Sequence, residues 1–340
     1  MKRKVLWGIL LLAVLAVVPV HTAIPAAAAA EKSVDETRAV KPDGVVQISN
    51  VAGSVRVVSW EKPEVHVSGE LEVNVERVDF EVRDGRTSIR VVVREHAHKN
   101  TSAYLTVSAP AVSSLEVDAV SASVNVEDAS PPELERPIRQ SVYARSVSGE
   151  VEVNTWASTV ELKSVSGGVS FSGAAETLDA ESTSGDIQCA GAHSADVRTI
   201  SGDIEVANAD SVRAKSTSGD LTASNIGRDA EASSISGDVE MTLASMNKVS
   251  ARTVSGDVTM EGALAPAGRV TAGTQSGGVT VSFPLDVSAE FEINTISGQV
   301  RTGFGFKSEG INRSLNFALG TGDGYVRIST TSGDVSINKL

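Results

Sequence analysis

Aspartates that follow a glycine at regular intervals are the first residues of this 340-residue chain with a possible chemistry. They are Asp186, Asp203, Asp220, Asp238, Asp257 and Asp334. Stacked carboxylates could share Ca²⁺, which takes oxygen ligands. The row is interrupted by Glu150, Gly168, Gly278 and Gln299, and aspartate also suits tight turns. We interpret the row as turn residues, with cation binding as the less favoured alternative.

Two histidines and one cysteine are the other candidates. His96 and His98, beside Glu95, would share one face of a strand, but two imidazoles do not make a metal site. Cys189 is the only cysteine, so no internal disulfide can form. Its position four residues after a repeated glycine predicts a buried side chain and not a nucleophile. No Gly-x-Ser-x-Gly motif occurs either. The sequence therefore predicts no catalytic, cofactor-binding or metal-ligating residue, and no enzyme.

A further set of residues has the chemistry of a contact surface. Branched side chains stand two residues before each repeated glycine, and alternation predicts that they point outward. We name this row the outer strip; its apolar members are Val147, Val165, Ile200, Ile235, Val254 and Ile296. Thr183, Thr217, Gln275 and Thr331 occupy the remaining positions. Such a strip could contact a partner protein, a second copy or a glycan. The alternative is the β-propensity of branched residues beside a tight corner.

A repeat positions these residues. Ser-Gly occurs ten times, with the glycine at 149, 167, 185, 202, 219, 237, 256, 277, 298 and 333. A period near 18 residues is typical of a stacked array. The last step, of 35 residues, leaves room for one degenerate coil. We expect each repeated glycine to turn the chain at positive φ.

Hydrophobic residues alternate around each glycine. The positions seven and five before it and two after it are always Val, Ile, Leu, Ala or Phe, and Ser or Thr stands three before it. Alternation with period two predicts strands with one buried face. We therefore predict an all-β fold: a parallel β-solenoid of coils of about 18 residues, with an N-terminal antiparallel β cap.

The N-terminal part lacks the Ser-Gly repeat and differs from it in composition. Lys2, Arg3 and Lys4, an apolar run over 6–18 and small residues up to Ala30 predict a cleaved signal peptide at 1–30, and we expect no membrane span after its removal. Composition then suggests a linker at 31–44, the β cap and first strands at 45–128, a Pro-rich loop at 129–141 and the solenoid at 142–340.

Several segments resemble the bacterial putative-adhesin family of exported β-strand-repeat proteins. They are Ile48-Ser-Asn-Val-Ala-Gly-Ser-Val-Arg-Val, Trp60, Leu105-Thr-Val-Ser-Ala-Pro110, the Ser-Gly-Asp-Val repeats, Leu319-Gly-Thr-Gly-Asp-Gly and Thr331-Ser-Gly-Asp-Val-Ser-Ile. The resemblance covers nearly all of 45–340. It implies an envelope or surface protein and supplies no catalytic residue.

The net charge of −13 argues against nucleic acid as a partner, because phosphates select basic surfaces. We therefore predict a non-enzymatic, adhesin-like binding protein, exported to the periplasm or the cell surface. It would need no cofactor and would act through the solenoid surface on an envelope or surface protein or a glycan. The alternatives are a structural spacer of the cell envelope and, third, a polysaccharide-active β-helix enzyme.

Overall fold

A computed structural model describes residues 32–97, 99–128, 138–305 and 314–340. These residues form 21 strands, mostly parallel and joined into one sheet that does not close, and they contain no helix. The predicted all-β, parallel β-solenoid is confirmed. In the same ranges, no helix has the length and apolar character to cross a membrane. The predicted signal peptide, His98 and most of the Pro-rich loop lie outside the described residues.

The strands follow one another along the chain with short connections. The N-terminal strands are β1 (Lys32–Ala39), β2 (Val45–Trp60), β3 (Glu64–Leu71), β4 (Val75–Arg83), β5 (Arg86–Val93), β6 (Ala103–Pro110) and β7 (Ser114–Glu127). The repeats supply β8 (Arg139–Ser146), β9 (Val151–Ser164), β10 (Val169–Glu181), β11 (Ile187–Arg198), β12 (Ile204–Lys215), β13 (Leu221–Ser233), β14 (Val239–Arg252) and β15 (Val258–Ser276). The C-terminal strands are β16 (Val279–Phe283), β17 (Ala289–Ser297), β18 (Val300–Thr302), β19 (Ser314–Leu319), β20 (Gly324–Ser332) and β21 (Val335–Lys339).

Each coil of the solenoid reverses direction at two edges. At the corner edge, the Ser-Gly pair separates one strand from the next. At the far edge, a long strand such as β11 bends within itself, so its first half lies on one face and its second half on the other. Parallel pairing keeps equivalent residues together: Val169 lies against Ile187, and Leu178 against Ala195. The coils therefore stack as a flattened rod with two sheet faces.

The inward rows predicted from the repeat form the core. In all ten repeats, the residues seven and five before the glycine and two after it are at most 7% exposed. Cys189 is also buried, and burial raises the pKa of its thiol to about 12. Its prediction as a core residue is confirmed. Small and branched side chains in these rows fill a narrow interior in which few aromatic residues would fit.

Buried hydroxyl groups fasten the corner edge. The Ser or Thr three residues before each glycine is at most 8% exposed. Ser146 Oγ accepts a hydrogen bond from Gly149 N (2.8 Å) and donates one to Ala122 O of the preceding coil (3.0 Å). Thr253 Oγ1 likewise donates to Gly237 O at 2.9 Å. All of these hydroxyl groups except that of Ser164 donate in this way to a carbonyl of the neighbouring coil, so they link coils and satisfy buried backbone groups.

The corner glycines are needed mainly because neighbouring coils come very close at the corner, and less because the backbone adopts a conformation that favours glycine. An added Cβ at Gly167 would lie 2.1 Å from Gly149 O, and one at Gly219 would lie 1.9 Å from Gly202 O. Only Gly219, Gly237, Gly256 and Gly277 have positive φ, between 148° and 158°. Our expectation of positive φ at every corner is wrong. Glycine is required because neighbouring coils meet there backbone to backbone.

Antiparallel strands cover the N-terminal end of the rod. β2 forms a whole coil and pairs in parallel with β7 on one side and with β5 and β6 on the other. Beyond them, β4 pairs antiparallel with β5, and β3 with β6. β1 pairs antiparallel with β3, so the assignment of 31–44 to a linker is wrong for Lys32–Ala39. These outer strands cover the open edge of the stack.

The C-terminal coils are not stacked in chain order. β20 pairs with β15 on one side and β17 on the other, and β21 pairs with β16 and β18. The last coil, at Gly333, therefore lies between the coils of Gly277 and Gly298. β19 then pairs antiparallel with β17. The 35-residue step predicted to hold a degenerate coil contains this antiparallel strand instead.

An ion pair closes the base of the predicted Pro-rich loop. Arg139 is the first residue of β8, is fully buried, and lies 3.0 Å from Asp128, just past the end of β7. Its guanidinium also donates to Ser113 O (2.7 Å) and Pro110 O (3.2 Å). The loop predicted at 129–141 thus ends at residue 138 at the latest. A buried charge is tolerated here because it is paired and hydrogen-bonded.

Candidate functional site

The outer strip lies on the surface along the corner edge. Its six apolar members are between 38% and 63% exposed, with Ile296 the most exposed and Val254 the least. They do not occupy every coil: Thr183, Thr217, Gln275 and Thr331 stand at the strip position of the coils between them. Because stacked strands are about 4.8 Å apart, the strip is a row of side chains at that spacing.

Backbone hydrogen bonds hold the strip straight. The serine that follows each strip residue donates its N–H to the strip carbonyl of the preceding coil, as in Ser218 N to Ile200 O (2.9 Å) and Ser255 N to Ile235 O (2.9 Å). The strip residues are thus part of the same ladder as the corner. A partner would meet a row with a fixed spacing and little conformational freedom to lose.

The strip is longer than the sequence indicates. Val120 is 49% exposed and occupies the strip position of β7, where its carbonyl accepts the N–H of Ser148 at 2.9 Å. Alignment on Ser-Gly missed it because this coil has Ala122 at the corner in place of glycine. At the other end, stacking places Thr331 between Gln275 and Ile296.

A groove runs beside the strip. It has a volume of about 670 Å³ and is lined on one side by strip residues such as Val165 and Ile200. Lys163 and Arg198, four residues before the corner glycine, line the other side, and the corner hydroxyl groups form its floor. A second groove, of about 760 Å³, continues along the same edge at Gln275, Ile296 and Thr331.

Opposite charges flank the strip. Four residues before the corner glycine stands a basic row of Arg145, Lys163, Arg198, Lys215 and Arg252; Glu181 and Ser233 interrupt it, and it ends at Arg252, since Gly273, Asn294 and Ser329 follow at this position. One residue after the glycine stands an acidic row, interrupted by Gly168, Gly278 and Gln299; its members are Glu150, Asp186, Asp203, Asp220, Asp238, Asp257 and Asp334. The acidic residues that form ion pairs with the basic row lie on the neighbouring sheet face. Lys163 Nζ, for example, lies 2.9 Å from Glu161 Oε1, and this hydrogen bond raises the pKa of Lys163.

The aspartates of the acidic row have a structural role. Asp186 Oδ1 accepts the N–H of Asp203 in the next coil at 2.9 Å, and Asp238 Oδ1 accepts that of Asp257 at 2.7 Å. In the same way, Asp257 Oδ1 accepts the N–H of Gly278, and Asp334 Oδ1 accepts the N–H of Gln299. One oxygen of each carboxylate is therefore engaged by the ladder. No group of three or more His, Cys, Asp or Glu suited to a metal ion occurs in the described ranges.

Of the two histidines, His96 belongs to the described residues and His98 lies outside them. His96 lies in the turn after β5 at φ 63°. The structure does not bring it together with the outer strip residues that the sequence selected on the repeats.

Solved bacterial proteins align with most of the chain at low identity. A putative adhesin from Parabacteroides distasonis is 11% identical with a TM-score of 0.36, and the match covers 91% of this chain and 98% of that one. A putative adhesin from Parabacteroides merdae is 9% identical, with a TM-score of 0.34 and coverage of 91% and 96%. A putative lipid binding protein from Parabacteroides distasonis is 13% identical, with a TM-score of 0.32 and coverage of 90% and 96%.

The match to a protein family is firmer. No curated protein matches the chain. The family model described as Toastrack DUF4097 matches residues 131–262 and 233–338, which together make up more than half of the chain. These ranges include most of the repeats and the coils on which the outer strip lies. The chain belongs to the Toastrack DUF4097 family.

Proposed function

We propose that this protein is a non-enzymatic, exported binding protein that holds an extended partner along the outer strip. One observation carries the proposal: apolar side chains stand exposed at a fixed spacing along an otherwise polar and acidic rod. Exposed apolar rows of this length are characteristic of contact surfaces. The partner would be a protein or glycan of the cell envelope or surface, in the periplasm or outside the cell, as the signal peptide predicted at 1–30 suggests.

The arrangement of the strip favours binding over catalysis. The grooves beside it are open along the rod, and their charged side chains are paired with neighbours, as Lys163 is with Glu161 and Glu181. Acid-base catalysis needs a titratable group poised against a substrate in an enclosed cleft. A long, shallow groove beside an apolar row instead suits a linear partner.

Photo-cross-linking in the native envelope tests the proposal. A photoreactive residue at Ile235 should yield a specific cross-linked product, because Ile235 is half-exposed in the middle of the strip. Leu285 provides a matched control: it is an exposed apolar residue, but it lies in the far-edge connection between β16 and β17. Products of equal yield at both positions, or none at Ile235, would contradict binding through the strip.

Charge substitutions test it independently. With the photoreactive residue at Thr217, the strip position between them, Ile200→Lys with Ile235→Lys should abolish the cross-linked product, because two desolvated lysines cannot pack where isoleucine did. Leu285→Lys, with the same type of change at the far edge, should leave it intact. Unchanged thermal unfolding of both variants would show that the rod itself is preserved. Capture retained by the folded double variant counts against the proposal.

The second candidate function is a structural spacer, which the continuous ladder of coils favours. A rod held by hydrogen bonds from end to end can set a distance between two attached partners. Such a spacer would be contacted at its ends. Cross-linking that occurs only from probes in the terminal strands β1 or β19, and never from Ile235, would support the spacer over the strip.

A further inference from the structure

We propose that the partner of the outer strip is a second copy of this chain, docked side by side with both rods pointing in the same direction. This inference rests on the proposed function, because it uses the same strip, and it names the partner. The carrying observation is the order of three parallel rows along the corner edge. The basic row comes first, the apolar strip follows, and the acidic row comes last.

This order decides which orientation of two strips is favourable. A two-fold axis parallel to the rods brings strip onto strip and exchanges left and right, so each basic row meets the partner's acidic row. A two-fold axis perpendicular to the rods and in the plane of contact keeps left and right, so basic faces basic and acidic faces acidic. The first arrangement is attractive and the second is repulsive. The charge pattern therefore selects the parallel dimer.

The favourable contacts recur at matching levels of the rod. In the parallel arrangement, residues of the same coil face each other across the axis, which pairs Arg198 with Asp203, Lys215 with Asp220, and Arg252 with Asp257 of the other copy. Each pair occurs twice by symmetry. Glu181 would face Asp186, but Lys163 lies 3.4 Å from Glu181 and offsets its charge. Lys163 itself would face Gly168, Ser233 would face Asp238, and the coils beyond Asp257 add no pair of opposite charges.

The contact is large enough for a specific dimer. Roughly 12 coils at about 4.8 Å each give a strip on the order of 60 Å long. With a width of about 13 Å across the three rows, the contact covers on the order of 800 Å² per copy, the size of an ordinary specific interface. Its centre is mostly apolar, and its two borders carry charges between Arg145 and Asp257 and are mostly uncharged beyond. A polar rim around an apolar centre is usual for interfaces that form between folded partners.

Single introduced cysteines test the orientation directly. In the parallel dimer every strip residue faces its own counterpart, so Val147→Cys, Ile200→Cys and Val254→Cys should each form a disulfide-linked homodimer on oxidation of the purified exported protein. Cys189 does not interfere, because it is buried. Leu285→Cys at the far edge is the control and should remain monomeric. Disulfide formation at only one of the three positions would indicate crossing or antiparallel strips and would overturn the proposal.

Charge reversal tests the pairing of the rows. Lys215→Glu with Arg252→Glu would face Asp220 and Asp257 of the other copy, and should raise the Kd of the dimer at least tenfold in sedimentation equilibrium. Arg228→Glu with Arg269→Glu changes the net charge equally, away from the corner edge, and should leave the Kd unchanged. An equal effect of both pairs, or none from the first, would contradict the proposed pairing.

The two proposals can fail separately. If the protein is monomeric and the Ile235 probe captures a different envelope molecule, the self-association is wrong and binding through the strip stands. If the product has twice the mass of the chain, both hold. If neither the probe nor the cysteines give a product, both are wrong.

Discussion

The two edges of the rod reverse the chain with different residues and different tolerance. At the corner edge every repeat uses Ser or Thr, then Ser-Gly, and the coils stay in register. At the far edge the connections vary, and register shifts occur there, between Ala223 and Ile226 in β13 and between Met246 and Lys248 in β14. Repeat lengths from 17 to 21 residues are therefore absorbed at the far edge. The corner edge stays straight, which keeps the outer strip continuous.

Gly219→Ala would test the corner edge most severely. The new Cβ would lie 1.9 Å from Gly202 O, which belongs to a backbone that cannot move without disturbing the ladder. We expect a loss of about 3 kcal/mol in the free energy of unfolding. Gly168→Ala is the control, since its Cβ would find only Asp186 O, at 3.7 Å, and should cost less than about 0.5 kcal/mol. Equal losses in denaturant unfolding would contradict the close-approach explanation.

Ser146→Ala would test the buried hydroxyl groups of the same edge. The change removes the acceptor of Gly149 N–H and the donor to Ala122 O inside the rod. Buried groups without partners should cost about 2 kcal/mol. Ser148→Ala, two residues on and exposed, should be nearly neutral in the same unfolding experiment. A neutral Ser146→Ala would mean that the hydroxyl link between coils contributes little.

Asn225→Ala would measure how much a far-edge residue contributes to the free energy of unfolding, for comparison with the corner edge. Asn225 bends β13 at φ 54° and donates from Nδ2 to Asn208 Oδ1 at 2.6 Å. Alanine tolerates this conformation poorly, so we expect a loss of about 1 kcal/mol. Asn225→Gly should recover most of it, since glycine adopts positive φ without strain. A loss as large as that of Gly219→Ala would remove the distinction between the two edges.

Asp179 lies on the sheet face between the two edges, and Asp179→Asn should have the smallest effect on the free energy of unfolding. Burial raises the pKa of Asp179, and the nearby Glu181 adds to this. A carboxyl group whose pKa is higher in the folded chain binds more protons when folded, so its contribution to stability falls as the pH rises through this range. The variant should be more stable at pH 7 by under about 0.5 kcal/mol, given solvent screening, and equal near pH 3. Thermal unfolding from pH 3 to 8 measures this; a less stable variant at pH 7 would reverse the sign.

The repeat made the inward rows and the outer strip predictable. Residues such as Val160 and Ile235 stand at fixed distances from a glycine, and a parallel stack repeats each orientation from coil to coil. Val120 was missed because its coil has Ala122 at the corner, where the repeats have glycine. Alanine fits at this corner because the residue that comes close to it from the next coil is Gly149, which has no side chain. The only signal for Val120 was the alternation within β7. The charged rows were visible as residues, but their places on the two sides of the strip followed only from the structure.

Features that depend on long-range pairing could not be predicted. β1 was assigned to a linker because its residues are polar, and its strand conformation comes from pairing with β3. Arg139 was assigned to a loop because prolines precede it, and its burial depends on Asp128. The position of the last coil has no local signal, since the sequence around Gly333 has the same pattern as every other repeat.

That inserted coil gives the molecule a definite order of assembly. The coils up to Gly277 can stack one after another in chain order, but the coil of Gly298 has no neighbouring coil until residues 324–340 are in place; before that, β17 can pair only with β19. The final residues of the chain therefore complete the interior of the rod. A chain that stops short of β20 would keep a folded N-terminal part and lose both of its last coils, because the missing segment is their common support.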